Sequence, residues 1–173
     1  EMMRINELIS QFENTTSGKE HYFFDLHTTS APSVPFIVAD RKEHSMSIAL
    51  QFPLPVIVNI NQYINGTLLN YFEKRNFHGL VFEAGQHQDL NSIKRHEAII
   101  WMALVKTDAI KKTDVPNYYA QHAVLSGLSD DPHKQFEIIH HQKLTTDDVF
   151  IMQPGFVNFQ KIELGETLGT LNG

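Results

Sequence analysis

Tyr22-Phe23-Phe24-Asp25-Leu26-His27-Thr28-Thr29-Ser30 decides the reading of this chain. An apolar run stops on an Asp-x-His pair and passes into a small polar loop. Strand side chains alternate between faces, so Asp25 and His27 share one side, with the imidazole at the tip. A buried strand reads this way when its carboxyl end opens onto a site, and open α/β sheets place ligands outside such ends. Gly79-Leu80-Val81-Phe82-Glu83-Ala84-Gly85 ends the same way, on a carboxylate with glycine close behind.

Around these two strands the pattern alternates. Met3, Ile5, Leu8, Ile9 and Phe12 predict an amphipathic helix over 2–13. Strands are expected at about 21–26, at Pro35–Val38, at Pro55–Val58 and over 79–83, with a helix from Asp40 to Leu50. Thr67 has the chemistry of an N-cap for a helix carrying Leu68, Leu69 and Phe72. Leu90, Ile93, Glu97, Ile100, Trp101 and Leu104 predict one face of a longer helix, with Asp89 as its cap and Trp101 in the core. The expected fold is α/β, a mostly parallel or mixed sheet sandwiched by helices. After Lys111 the texture shortens, and β-like runs are read at Tyr119–Leu125, Phe136–His140, Val149–Met152, Val157–Ile162 and Thr167–Leu171. Two domains follow: an α/β domain over 1–113 and a small β-rich module over 114–173. The chain opens on Glu1 inside a helical pattern and closes on Asn172-Gly173, a hairpin signal without a second strand. Both ends are therefore expected to be cut.

Composition removes several classes of function. With no cysteine, there is no disulfide, no thiolate nucleophile and no Cys-ligated zinc. A net charge of -6, with no basic run among aromatics, argues against nucleic acid as a partner. No apolar stretch is long enough to span a bilayer and no signal-peptide pattern is present, so no membrane role is expected and cytoplasm is the default compartment. Self-association into a homo-oligomer stays open.

A histidine and a glutamate on neighbouring strand ends are the raw material of a zinc hydrolase site. Against that stands a plain alternative, in which His27 is a strand-end polar residue and Glu83 a solvated carboxylate. The chemical case for Glu83 is that zinc brings bound water to a pKa of roughly 7, and a nearby carboxylate must take its proton and pass it to the leaving amine. Asp25 could orient an imidazole, but two residues along a strand reads as too far for it to grip His27, so structural anchoring is its expected role. His140 and His141 point to opposite faces, and the remaining histidines are expected at the surface.

Three segments carry a resemblance. Asp25-Leu26-His27-Thr28-Thr29-Ser30, Phe82-Glu83-Ala84-Gly85-Gln86-His87 and Phe150-Ile151-Met152-Gln153-Pro154-Gly155-Phe156-Val157-Asn158-Phe159 occur in order. They resemble the succinylglutamate desuccinylase/aspartoacylase family of zinc-carboxypeptidase-like hydrolases, in its interior and later part. The resemblance implies His27 as a zinc ligand, Glu83 as the catalytic acid/base, and Asp25 and Thr28 as residues lining or supporting the site. It implies one Zn2+ per complete chain and hydrolysis of the amide bond of a small N-acyl amino acid. It also suggests that the C-terminal module packs beside the carboxyl edge of the sheet and narrows the entrance. In that family a His-x-x-Glu motif supplies two further ligands, and none of the ten histidines here has Glu three residues on. The ligand set is thus expected to be incomplete and the chain alone inactive. Arg4, Arg41, Arg75 and Arg95 sit in no matching substrate-carboxylate motif. The alternatives are a non-catalytic relic or binding module of the same fold, and a carboxypeptidase acting on small peptides.

Overall fold

Tyr22–Thr29 forms β1 and His78–Gln86 forms β4, so the two runs that end in polar groups are strands in the computed structural model. It describes residues 2–173, apart from the side chains of Met2 and Asn61. The other elements are α1 (Met2–Thr15), β2 (Phe36–Ala39), α2 (Glu43–Ala49), β3 (Val56–Val58), α3 (Leu68–Glu73), α4 (Asn91–Lys106), α5 (Tyr118–Leu125), β5 (Gln135–Glu137), β6 (Phe150–Met152) and β7 (Gly169–Leu171). Five strands form one sheet in the order β1-β4-β2-β3-β5. β1 lies parallel to β4, and β2, β3 and β5 lie parallel in turn, while β2 runs antiparallel to β4. The fold is α/β, as the alternation predicts, with a mixed and largely parallel sheet.

The two faces of the sheet are buried differently. Alternation sends Leu80, Phe82 and Ala84 of β4 to one face, where they meet Ile48 and Ala49 of α2, Ile99 and Met102 of α4, and Leu125 of α5 in the main core. Phe82 and Leu80 are fully buried. On the other face Val38 and Val81 meet Leu69 of α3. Thr67 caps α3 as expected, its Oγ1 accepting from the Asn70 N–H at 3.2 Å. Helices therefore cover both faces, and the second face is covered over a smaller area.

Three expectations need correction. In α4 the buried stripe is Ser92, Ala98, Ile99, Met102 and Ala103, whereas Leu90, Ile93 and Ile100 point outward. Apolar residues occupy two faces of this helix, and the face carrying Ala98, Ile99, Met102 and Ala103 is the one packed into the main core. Tyr118–Leu125 is a helix, not a strand: its aromatic and β-branched residues favour a strand locally, but burying Leu125 against the main core decides otherwise. No strand forms over 157–162.

The segment after residue 114 divides its contacts. α5 and β5 join the main body, β5 pairing with β3. β6 and β7 make a separate antiparallel pair, so the last apolar run has its partner strand within the chain. Phe159, between them, stacks edge-on to Phe36 at 5.1 Å and to Phe136 at 4.9 Å between ring centroids. No helix among the described residues is long and apolar enough to cross a membrane.

Candidate active site

At the carboxyl ends of β1 and β4, Asp25, His27, Val81 and Glu83 project to the α3 face, because all four have odd positions on strands paired His27↔Glu83 and Asp25↔Val81. They line a cavity of about 320 Å³ whose remaining wall is Val38, Ile60, Ile64, Thr67, Leu68 and Leu69. The two candidate residues of highest interest, His27 and Glu83, thus share one cavity with Asp25. The wall is mostly apolar, with polar groups gathered at one end, which is the usual form of a small-molecule site.

Asp25 and His27 are closer than strand spacing suggested. His27 Nε2 lies 2.9 Å from Asp25 Oδ1, within ion-pair distance. The imidazole folds back along the strand and reaches its neighbour, so the two side chains are in contact despite their spacing. His96 of α4 donates from Nε2 to the His27 carbonyl at 3.0 Å, fixing this strand end from the opposite face. Thr28 is not brought to the cavity. It faces the other way and its Oγ1 pairs with His87 Nδ1 at 2.7 Å.

Beyond Glu83 the register slips, since Thr29 stands opposite Gln86, and Gly85 takes a φ of +101°. This bulge turns β4 away from the ladder just past the carboxylate. A Cβ on Gly85 would lie 2.9 Å from Arg95 Nη1. That guanidinium donates to the Ala84 carbonyl at 2.9 Å and to Asp89 Oδ2 at 2.6 Å, so it locks the turn. The N-cap of α4 is Leu90, one residue past the expected Asp89, but Asp89 still accepts from the Asn91 N–H at 3.0 Å, and this bond holds its carboxyl below the usual range.

Glu83 Oε2 is buried and has no hydrogen-bond partner among the described residues. Burial pushes the carboxyl above its ordinary value, and the nearby imidazoles of His27 and His87 only partly oppose this. A carboxylate in this state is a proton acceptor held ready without a competing partner. None of the arginines lines the cavity: Arg75 pairs with Glu13, Arg41 with Glu137, and Arg95 with Asp89.

No family model, curated protein or solved structure matches this chain. The resemblance therefore stands on its three segments, and the site on its geometry.

The zinc that the resemblance implies meets only part of a ligand set here. The His27 ring stands beside the Asp25 carboxylate, a neighbour that ligating imidazoles commonly have. The cavity holds no second histidine, and its other ligand-capable side chains are Asp25 and Glu83. These three are not among the groups whose ligand atoms converge within 4.8 Å, so the described residues do not assemble a three-ligand centre at this end.

A different set does converge. Glu20 before β1, His44 on α2 and His78 at the start of β4 bring ligand atoms within 4.8 Å of one another, at the amino ends of β1 and β4. Sequence reasoning assigned these histidines to the surface. Their separations match no short ligand motif, and only the fold joins them. Nearby, on the α3 face, the Glu73 side chain is 4% exposed, and burial followed by the Asp40 charge raises its pKa to about 7.

Proposed function

We propose that the cavity at the carboxyl ends of β1 and β4 is the hydrolytic centre for the amide bond of an N-acyl amino acid or a similar small amide. The observation that carries this reading is Glu83 Oε2, buried and unpartnered in the same apolar cavity as the Asp25–His27 pair. Of the cavity residues only His27 offers an imidazole to the zinc that the resemblance implies, and that ion would supply a polarising charge there. Because this cavity presents one imidazole, every step below belongs to the chain's own groups.

The apolar wall of Val38, Ile64, Leu68 and Leu69 receives the acyl chain and excludes bulk water. Asp25 holds the His27 ring at the mouth. Glu83 takes a proton from the attacking water as the new C–O bond forms, then delivers that proton to the amide nitrogen as the C–N bond breaks. The products are a free acid and an amine, and Glu83 ends in its starting form. A carboxyl raised above its ordinary value by burial is a stronger proton acceptor for the first half of the cycle. In the full protein, Glu83→Gln keeps shape and removes the base. Turnover of N-acyl amino acids should fall by about a hundredfold or more, with an unchanged circular-dichroism spectrum. Near-native turnover would make Glu83 a structural carboxylate and end this reading. The single imidazole also favours a second reading, a cavity that binds the small amide without turning it over. Saturable binding with no hydrolysis by the full protein would select it.

A further inference from the structure

We propose that Glu20, His44 and His78 form a binding site for a divalent transition-metal ion of the zinc class, separate from the carboxyl-end cavity. The two places lie at opposite ends of β1, about 16 Å apart along the strand from Tyr22 to His27 at 3.3 Å per residue.

The site is assembled by three elements that the fold already holds together. The Tyr22↔His78 register and the His78 N–H donating to the His21 carbonyl at 2.8 Å fix the start of β4 beside the approach to β1. α2 packs over the same end through Ile48 and Ala49, which sets His44 over His78 with ring centroids 4.7 Å apart and planes 12° from parallel. The Tyr22 hydroxyl donates to Glu20 Oε2 at 2.8 Å, so the carboxylate is oriented by a neighbour and keeps Oε1 for a ligand. This is the second interaction that ligating carboxylates ordinarily show.

Metal chemistry narrows the ion. Two imidazoles and one carboxylate suit zinc, copper, nickel or cobalt, whereas calcium and magnesium require oxygen ligands. Zinc bonds of about 2.1 Å place tetrahedral ligand atoms about 3.4 Å apart. Atoms now within 4.8 Å must therefore close in, which needs the two stacked rings to tilt toward one another. His44 and Glu20 are exposed, so these side chains have room for that adjustment. Three protein ligands leave a fourth position for water. Bound there, the ion ties α2 to the sheet.

Untagged protein dialysed against zinc alone, followed by elemental analysis, should retain one zinc per chain, and cobalt in its place should give a tetrahedral visible spectrum. His44→Ala and His78→Ala should each weaken zinc binding at least about tenfold, and Glu20→Gln, which keeps the side-chain shape, should weaken it as well. His27→Ala should leave binding unchanged, so failure here is distinct from failure of the hydrolytic reading. Zinc should raise the Tm of the parent protein and not that of the His44→Ala/His78→Ala double variant. No bound zinc in the folded parent protein, or zinc lost through His27→Ala and kept by both amino-end variants, would overturn the proposal.

Discussion

At the carboxyl ends of β1 and β4 an imidazole and a carboxylate stand over an apolar cavity, whereas at the amino ends of the same strands Glu20, His44 and His78 gather near the surface. The groups are similar and the surroundings differ. In the cavity, Glu83 has a buried oxygen without a partner, which favours proton transfer. At the other end two rings and an oriented carboxylate converge, which favours a cation. The comparison teaches that residue type alone assigns no chemistry. Burial and convergence do.

The contrast extends to a second pair of carboxylates. Both Glu83 and Glu73 are pushed up by burial, yet Glu73 faces Asp40 and Lys42, away from the cavity. Its folded pKa is raised to about 7, while the unfolded chain ionises near the ordinary carboxyl value of 4.5. The folded state keeps a proton that the unfolded state gives up, so the stability from this group is full below pH 4.5 and is lost as pH rises through about 7. At 1.36 kcal/mol per unit this amounts to about 3 kcal/mol at most, with the opposing Lys42 charge already contained in the value of about 7. Urea unfolding of the parent protein should show that loss between pH 5 and 8, and Glu73→Gln should flatten it. A slope that survives in Glu73→Gln would place the titration elsewhere.

A smaller effect separates the two ends by backbone. Gly85→Ala forces a side chain into φ +101° and against Arg95, at a cost of about 2 kcal/mol. The strain lies beside Glu83, so amide exchange should quicken around residues 83–89 and stay unchanged around 20–22. Equal effects at both ends would show that the bulge supports the whole sheet.

How much of this was legible follows from the range of each interaction. The strands that end on His27 and Glu83 announce themselves through local alternation, and the Thr67 cap through a three-residue spacing. The Asp25–His27 contact was missed because regular strand geometry hides how far an imidazole can fold back. α5 was misread because Tyr118, Tyr119 and Val124 favour a strand until Leu125 is buried. The amino-end cluster was invisible for another reason. His44 and His78 meet only after β2 has inserted antiparallel beside β4 and carried α2 over that end.

The most direct test of the central claim, that the carboxyl-end cavity receives the small amide, is a backbone and methyl NMR titration with an N-acyl amino acid. Shifts should concentrate at Val38, Ile64, Leu69, Val81 and Glu83 and leave residues around His44 and His78 unmoved. Saturable shifts confined to the amino end, or none anywhere at millimolar ligand, would contradict it.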